Sequence, residues 1–336
     1  MRFSVIVPLY NKAPYVRHAL ESVFAQTYKD FECIVVDDGS TDGSLDIVRA
    51  INDEMSRDKS LNEPHTLNDG RFKIFSQANS GVAAARNNGV AVSKGEYVCF
   101  LDADDWWEST FLEEMDRLIA EYPDAGIYAS NYIYYKPGKT HVALSLPRGY
   151  LDYPKAYYEG SSMPVWTGAI CMLRKVFDEM GGFPVGIKLG EDFLLWAKTA
   201  LHYKVAFCEK PLAYYNNDVP ASLRATRNLH APEHHMLFRL DEIEKTINLQ
   251  FETLNPKSVA WHALLDKLRV IGLLDYWLSE EYHDVATAEL AKVNWSKQPK
   301  SAKAQYEKPI WFLRAKRRFM QVGSYCKQKL LHLKNK

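Results

Sequence analysis

The chain has 336 residues and as many basic as acidic side chains, 42 of each, so its formal net charge is zero. This balance argues against a general nucleic-acid binder, and the length suits one large domain or one domain with an appendage. No apolar stretch approaches the roughly 18 residues that span a bilayer, and the five cysteines form no CxxC pair. With no recognisable secretory leader, we expect a cytoplasmic protein.

The N-terminal part of the chain alternates between strand and helix patterns. Short apolar runs predict strands, and apolar residues at helical spacing predict helices. The predicted strands cover residues 3–8, 31–36, 72–76 and 97–101, and the predicted helices cover 15–26, 45–55 and 82–92. This order implies parallel strands with right-handed crossovers. We expect Pro8 to terminate the first strand. The strand ends at Pro8, Asp37 and Asp102 should therefore meet at one edge of one sheet.

Three carboxylates follow the strand predicted at 97–101, which is apolar enough to be buried on both faces of a parallel sheet. They are Asp102, Asp104 and Asp105. Ligands of open α/β sheets bind beyond the carboxyl ends of the strands. Asp102 and Asp104 flank one residue, so both can reach one hard cation, Mg²⁺ or Mn²⁺, or a diphosphate through it. The alternative is that the acids cap a helix beginning near Trp107.

The second half of the chain has a less regular pattern, followed by helical periodicity from His230 onward. We expect a helix at 109–122, strands at 125–135, 166–173 and 204–208, helices at 175–180 and 193–202, and loops at 136–165 and 211–227. The last segment, 308–336, carries nine Lys or Arg and no acid, with Trp and Phe interleaved. These patterns predict an α/β fold with a Rossmann-like, mostly parallel central sheet flanked by helices, plus a C-terminal helical extension.

Five blocks of sequence, in this order and spacing, resemble the family 2 inverting glycosyltransferases. They are Val5-Ile-Val-Pro-Leu-Tyr-Asn, Val35-Val-Asp-Asp-Gly-Ser-Thr-Asp, Asn79-Ser-Gly-Val-Ala-Ala-Ala-Arg-Asn, Phe100-Leu-Asp-Ala-Asp-Asp and Gly190-Glu-Asp. The resemblance implies a GT-A fold and a nucleotide-diphosphate sugar as donor. It implies a catalytic domain at 1–226, with a nucleotide-binding half at 1–106 and an acceptor half at 107–226. Residues 227–336 would form a helical region with a basic tail.

The resemblance also implies roles for residues that bind the nucleotide. Pro8 and Tyr10 would form the wall of the base site, Asp38 would accept a hydrogen bond from uracil N3, and Arg86 would reach the base or the diphosphate. The residues alone leave other roles open: a surface tyrosine for Tyr10, turn capping for Asp38, and a solvated helix face for Arg86.

By the same resemblance, the acids after the fourth strand form a DXD motif. Asp102 would contact ribose and metal, and Asp104 would be the main ligand of Mn²⁺ or Mg²⁺, which stabilises the departing nucleotide. Asp105 is expected to be a helix cap. Many relatives supply a histidine from the loop after the last strand, and this loop has none at the matching place, so the third metal ligand stays open.

Asp192 is the candidate general base implied by the resemblance, with N-capping of the helix at 193–202 as the alternative. It would take the proton of an acceptor hydroxyl that attacks opposite the diphosphate, which gives inversion. Thr167, Gly168 and Glu191 would line the acceptor cleft.

The resemblance implies transfer of a sugar from a UDP-sugar to a hydroxyl of a glycan or lipid-linked acceptor in cell-surface polysaccharide synthesis. Transfer of a single sugar is expected, because the QxxRW signature of processive synthases is absent. A non-catalytic nucleotide-sugar-binding module whose helical tail recruits partners is the alternative. A nucleotidyltransferase is not expected, because it would require a Gly-rich, basic loop after the first strand, where the sequence reads Pro8-Leu-Tyr-Asn-Lys. The basic tail predicts a peripheral contact with the inner face of the membrane. A solvated helix or an oligomer contact are the alternatives. No sequence feature supports nucleic-acid binding.

Overall fold

The computed structural model describes residues 1–57, 70–220, 223, 229–252 and 255–314. The chain divides into two compact units, Met1–Ser258 and Val259–Lys336. The first unit contains the sheet and every candidate site residue named above. The domain boundary expected after residue 226 stays a prediction.

The described residues form ten strands and twelve α-helices that follow one another along the chain. The strands are β1 Phe3–Leu9, β2 Phe31–Asp37, β3 Phe72–Ser76, β4 Tyr97–Phe100, β5 Trp106–Trp107, β6 Ala125–Tyr135, β7 His141–Val142, β8 Gly149–Leu151, β9 Ile170–Leu173 and β10 Lys204–Asn216. The helices are α1 Val16–Phe24, α2 Ser44–Arg57, α3 Val82–Val92, α4 Phe111–Glu121, α5 Tyr153–Glu159, α6 Arg174–Met180, α7 Glu191–His202, α8 Leu240–Gln250, α9 Pro256–Gly272, α10 Leu274–Leu278, α11 His283–Leu290 and α12 Lys300–Tyr306.

All ten described strands join one mixed sheet, which confirms the α/β class. Its main order is β3-β2-β1-β4-β9-β6-β10-β5, with β7 added to β6 and β8 to β10. The first four strands are parallel, β6 and β10 are parallel, and β9 runs antiparallel between β4 and β6. The ends of β1, β2 and β4 therefore lie at one edge of the sheet, called the carboxyl edge below.

The sequences of the parallel strands are unbroken apolar runs because helices pack on the sheet. Every residue of β1 and β2 is buried, and each fully buried Val, Leu or Ile contributes roughly 1.5–3 kcal/mol relative to exposure. Helix α3 approaches β1 at Gly89, where a Cβ atom would lie 2.4 Å from Cγ2 of Ile6. This close approach places the first turn of α3 over the carboxyl edge.

Pro8 lies inside β1, so the prediction that it terminates the strand is wrong. The strand continues to Leu9, and Pro8 pairs in register with Val36. Its missing N–H costs no hydrogen bond, because that side of β1 faces β4, whose pairing ends at Phe100 opposite Ile6.

The helix expected at 109–122 is present as α4. The alternative, in which the acids cap a helix that begins near Trp107, is wrong, because Trp106–Trp107 form β5, which pairs with the end of β10. The helix begins at Phe111 after Thr110, so Asp102, Asp104 and Asp105 do not cap it. The predicted loop at 136–165 contains β7, β8 and α5.

Two further bounds differ in the second half. Thr167–Ala169 form a 3-10 turn, so only Ile170–Leu173 of the predicted strand at 166–173 is a strand. Strand β10 continues to Asn216 through register shifts between Cys208 and Ala213.

The C-terminal unit is helical where it is described, as the periodicity predicts. Trp311 and Phe312 are exposed, whereas most of the basic tail, 315–336, lies outside the described residues. No helix of the described part of the chain is long and apolar enough to cross a bilayer.

Candidate active site

The loops that follow β1 and β2 are hydrogen-bonded to each other, and they form one wall of the site. Asn11, at a φ of 51°, accepts a hydrogen bond from the Thr41 amide at 2.8 Å through its side-chain oxygen. The amide of Lys12 donates to Ser44 Oγ at 2.8 Å. Tyr10 directly follows β1 and has 48% of its surface exposed, so its ring is available to a planar ligand. Pro8 is buried in the sheet.

Asp38 is buried where β2 ends, and its carboxylate holds the start of α3. It accepts hydrogen bonds from the amides of Ser80 at 2.7 Å and Gly81 at 2.8 Å, and from Gln77 Nε2 at 2.8 Å. A carboxylate at a helix N-terminus also interacts favourably with the helix dipole. Asp38 thus fixes the loop between β3 and α3, and recognition of a base by Asp38 stays a prediction.

Arg86, on the first turns of α3, joins the two halves of the site. Its Nη2 donates to Asp102 Oδ1 at 2.7 Å and its Nη1 to Glu191 Oε1 at 2.8 Å. The side chain is only 4% exposed, and its guanidinium lies 5.0 Å from the centre of the Phe183 ring. Burial opposes the charge, but Asp102 and Glu191 outweigh it and raise the pKa of Arg86 above its ordinary value. The guanidinium is thus held between two carboxylates and away from solvent.

The acidic turn, residues 102–105, follows β4 at the carboxyl edge. Asp104 is ion-paired with Lys12, whose Nζ contacts Asp104 Oδ2. Asp105 is buried, and its Oδ1 accepts a hydrogen bond from the amide of Asn216 at 2.7 Å. Asp105 is therefore not the expected helix cap, since it attaches the end of β10 to the acidic turn.

Asp192 lies in the first turn of α7 and is partly exposed. Its Oδ2 accepts a hydrogen bond from Thr167 Oγ1 at 3.0 Å, and its Oδ1 accepts one from the Phe193 amide at 2.7 Å. Helix α7 begins at Glu191, so Asp192 is not the residue that precedes the helix. The preceding Gly190 has a φ of 83°, and a Cβ there would lie 2.4 Å from Cγ of Met236, which explains the glycine before the two acids.

Glu191 is buried beside Asp192 and faces Arg86. Burial and the charge of Asp192 raise the pKa of Glu191 to about 7, against the opposing effect of Arg86. Asp102, Arg86, Glu191 and Asp192 therefore lie in one connected group, which the sequence places in three distant blocks.

Thr167, Gly168 and Glu191, expected at the acceptor cleft, are all buried. The Gly168 carbonyl accepts a hydrogen bond from Trp107 Nε1 at 2.6 Å, and a Cβ at this position would lie 2.5 Å from the Trp166 ring. Contact with an acceptor stays a prediction for these three residues.

A cavity of about 280 Å³ opens beside Asp104. Its remaining walls come from the start of α1 and from the ends of β5, β6 and β10: Pro14, Tyr15, His18, Trp106, Tyr135 and Asn216. The Trp106 ring lies 4.9 Å from the rings of both His18 and Tyr135. No motif marks His18 or Tyr135 in the sequence, and the signal that could have found Trp106 is its position directly after the acids.

The donor atoms at the acidic turn fit a divalent cation that is bound together with a substrate. Asp102 and Asp104 supply hard carboxylate oxygens. Asp102 is paired with Arg86 through its Oδ1, and Asp104 is paired with Lys12 through its Oδ2. No group of three or more His, Cys, Asp or Glu residues suited to a metal occurs in the described part of the chain. Two carboxylates with phosphate oxygens and water completing the shell are typical of Mg²⁺ sites.

Acids at the tips of parallel strands place the site where open α/β sheets bind their ligands. Residues 4–181 match the family model of Glycosyl transferase family 2. The chain belongs to this family, as the resemblance predicts. Four of the five sequence blocks lie within the matched residues, and Gly190-Glu-Asp lies beyond them. It is 34% identical over 229 residues to the glycosyltransferase GlyA of Streptococcus pneumoniae serotype 4 (strain ATCC BAA-334 / TIGR4). This match covers 64% of the chain and 30% of GlyA, so the chain spans about a third of that relative.

Solved structures confirm the GT-A fold. S. aureus TarS 1-349, in complex with UDP-GlcNAc, has a TM-score of 0.63 and 22% identity, with 80% of this chain and 71% of that chain covered. The mannosyltransferase PcManGT from Pyrobaculum calidifontis, in complex with GDP-Man and Mn²⁺, has a TM-score of 0.53 and 22% identity, with 94% and 83% covered.

Proposed function

We propose that the chain is an inverting, metal-dependent glycosyltransferase that moves one sugar from a UDP-sugar to a hydroxyl of a glycan or lipid-linked acceptor in cell-surface polysaccharide synthesis. Family membership supports sugar transfer. The observation that carries the mechanism is the guanidinium of Arg86. It holds Asp102 on the donor side at 2.7 Å and Glu191, the neighbour of Asp192, at 2.8 Å, so donor acids and candidate base belong to one site.

Asp192 is the proposed general base. Each of its oxygens accepts one protein hydrogen bond and has a second lone pair for an acceptor hydroxyl. Asp192 takes the hydroxyl proton while the acceptor oxygen bonds to the anomeric carbon from the face opposite the diphosphate. The bond from the anomeric carbon to phosphate oxygen breaks, and its electron pair leaves with the nucleotide. A single displacement inverts the anomeric configuration.

The donor is proposed to lie along the carboxyl edge. The exposed ring of Tyr10 can stack on a base, with Pro8 behind it and Asp38 holding the neighbouring loop. The TarS complexes with UDP-GlcNAc and UDP support uridine, and the GDP-Man of PcManGT makes guanosine the competing nucleoside. Asp102 and Asp104 would hold Mn²⁺ or Mg²⁺, which when bound acts as a Lewis acid toward the diphosphate.

The acceptor is proposed to approach α7 from the side of the partly exposed Asp192. Thr167, Gly168 and Glu191 would then form the floor of the acceptor site rather than an open wall.

We keep 1–226 as the proposed catalytic domain, with its halves at 1–106 and 107–226. The basic tail is the proposed contact with the inner membrane face, and binding to anionic vesicles that weakens at high salt is the observation that tests it.

The alternative function is a non-catalytic module that binds a nucleotide sugar, and one substitution separates the two. We expect Asp192→Asn to lower transfer by about a thousandfold, because general bases contribute roughly 10²–10⁴ in rate. Binding of UDP with Mn²⁺, measured by calorimetry, should stay unchanged. Asp178→Asn is the matched control, since Asp178 is exposed and ion-paired with Arg174 on its own helix.

The outcomes are distinct. Transfer at the wild-type rate by the Asp192→Asn variant would exclude Asp192 as the base. A wild-type chain that binds UDP but neither transfers nor hydrolyses any of a panel of UDP- and GDP-sugars with Mn²⁺ would favour the binding module.

A further inference from the structure

Lys12 lies in the loop after β1, and the roles proposed above do not include it. Its Nζ is ion-paired with Asp104 and also donates to the Leu223 carbonyl at 3.1 Å. We propose that Lys12 is a donor-binding residue that neutralises Asp104 while the site is empty and moves to the diphosphate when a divalent cation takes the carboxylate. This inference rests on the proposed function, because it requires a metal at Asp104.

The backbone of Lys12 is fixed, so the movement is confined to its side chain. The Lys12 amide donates to Ser44 Oγ at 2.8 Å, and its carbonyl accepts from the amides of Tyr15 and Val16 at 2.9 and 3.0 Å. A lysine side chain has four flexible methylene groups and a rotatable ammonium. The Nζ atom can therefore move by several ångströms while the loop stays in place.

Electrostatics favour the exchange. Two cations that share one carboxylate repel each other, and the divalent ion is held by twice the charge at a similar distance. The displaced ammonium then needs another anion, because a partly buried charge without a partner is costly. The diphosphate that accompanies the metal is that anion, and a lysine ammonium is an established partner for phosphate.

Arg86 is the other cation at the acidic turn, and it is not suited to this movement. Its guanidinium bonds Asp102 and Glu191 simultaneously and is almost fully buried. Moving it to a phosphate would leave two carboxylates unpaired. Lys12, by contrast, leaves only a carboxylate that the metal occupies and one backbone carbonyl.

The exchange makes metal and nucleotide binding interdependent. Without nucleotide, Lys12 competes with the metal for Asp104 and weakens metal binding. With nucleotide, the released Lys12 adds a contact to the diphosphate and strengthens both ligands. Linkage requires that each ligand raise the affinity of the other by the same factor.

The test is Mn²⁺ binding to the full chain, measured by electron paramagnetic resonance with and without UDP, in the wild type and Lys12→Met. We expect the variant to bind Mn²⁺ alone about tenfold more tightly, and UDP in the presence of Mn²⁺ about tenfold more weakly. Lys12→Arg should retain the wild-type pattern because it keeps the charge. Lys204→Met is the matched control, since it removes the same charge from an exposed pair with Asp124.

Each result decides one hypothesis. No Mn²⁺ binding by the wild type even with UDP would overturn the metal-dependent function and this inference with it. Binding by the wild type, but an unchanged or weaker affinity of Lys12→Met for Mn²⁺ alone, would overturn the exchange and leave the function standing. A thermal melt of each variant shows whether the fold is retained. If Lys12→Met is unstable, Lys12→Gln removes the same charge and decides the question by the same two measurements.

Discussion

At the scale of single residues, the site depends on how the Asp192 carboxylate is oriented. A side chain at the start of a helix could rotate toward solvent or toward the sheet. Thr167 holds it from a 3-10 turn that is itself buried against Trp166 and Trp107. The hydroxyl of Thr167 donates to Oδ2 at 3.0 Å, which restricts the rotation of the carboxylate.

The first prediction concerns this hydrogen bond. Thr167→Val keeps the shape and removes the donor, so we expect the turnover number to fall about tenfold with little change in the donor KM. A hydrogen bond to a charged group is worth about 1.5–3 kcal/mol, so the loss can reach this size. Thr167→Ser restores the hydroxyl and should recover most of the rate. Steady-state kinetics of the three proteins would contradict the role if the valine variant matched the wild type.

At the scale of secondary-structure elements, the parallel strands are held together by close turns that bring acids to one edge. Gly95 connects α3 to β4, and its amide donates to Ser4 Oγ at 2.8 Å. A Cβ at this position would lie 2.5 Å from the amide nitrogen of Ser4 and 2.6 Å from the carbonyl carbon of Phe3. These are backbone atoms of the neighbouring strand, which cannot move aside as a flexible side chain could.

We therefore expect Gly95→Ala to lower the free energy of unfolding by about 3 kcal/mol, the upper part of the range for overpacked sites. Gly138→Ala is the control, because Gly138 has a φ of 73° but nothing within 4 Å of a Cβ, and it should cost about 1–2 kcal/mol through backbone strain. Urea denaturation measures both. Equal losses in the two variants would show that the contact with β1 has no cost of its own.

Elements with local signals were predictable, and elements that depend on distant partners were not. The apolar runs at β1, β2 and β4 predict strands buried on both faces, and the acids after β4 indicate the edge at which these strands end. Trp106–Trp107 form a strand only because β10 lies beside them, about a hundred residues later in the chain. Short strands such as β7 and β8 likewise have no periodicity of their own. The prediction at Pro8 was wrong because it assumed that a proline must end a strand. The missing amide hydrogen matters only where a neighbouring strand would accept a hydrogen bond from it.

The site follows the same division between local and distant information. Asp102, Asp104 and Asp192 stand out as motifs, but their connection through Arg86 requires α3 to pack over the carboxyl edge. Lys12 has no motif, and its pairing with Asp104 depends on how two loops fold against each other. Sequence patterns identify the chemically able residues, whereas the fold decides which of them are joined.

At the scale of the whole molecule, the buried acids at this site make stability depend on pH. Burial and Asp192 raise the pKa of Glu191 to about 7, whereas an unfolded glutamate titrates near 4.3. Between these values the native chain holds a proton that the unfolded chain releases. The stability contributed by the protonated form is therefore full below about pH 4 and is lost as the pH rises through about 7. Arg86 stays charged across this range because its own pKa is raised.

Glu191→Gln removes this titration and keeps a similar shape. We expect the free energy of unfolding of the wild type to fall by about 2 kcal/mol more than that of the variant between pH 5 and 8, since each unit of pKa shift corresponds to about 1.4 kcal/mol. The measurement is denaturation of both proteins at each pH, in one buffer of constant ionic strength. The variant removes one of the two carboxylates that pair with Arg86, so its stability will differ at every pH, and only the difference in slope tests the titration. Parallel profiles would mean that Arg86 holds Glu191 ionised in the native chain throughout this range.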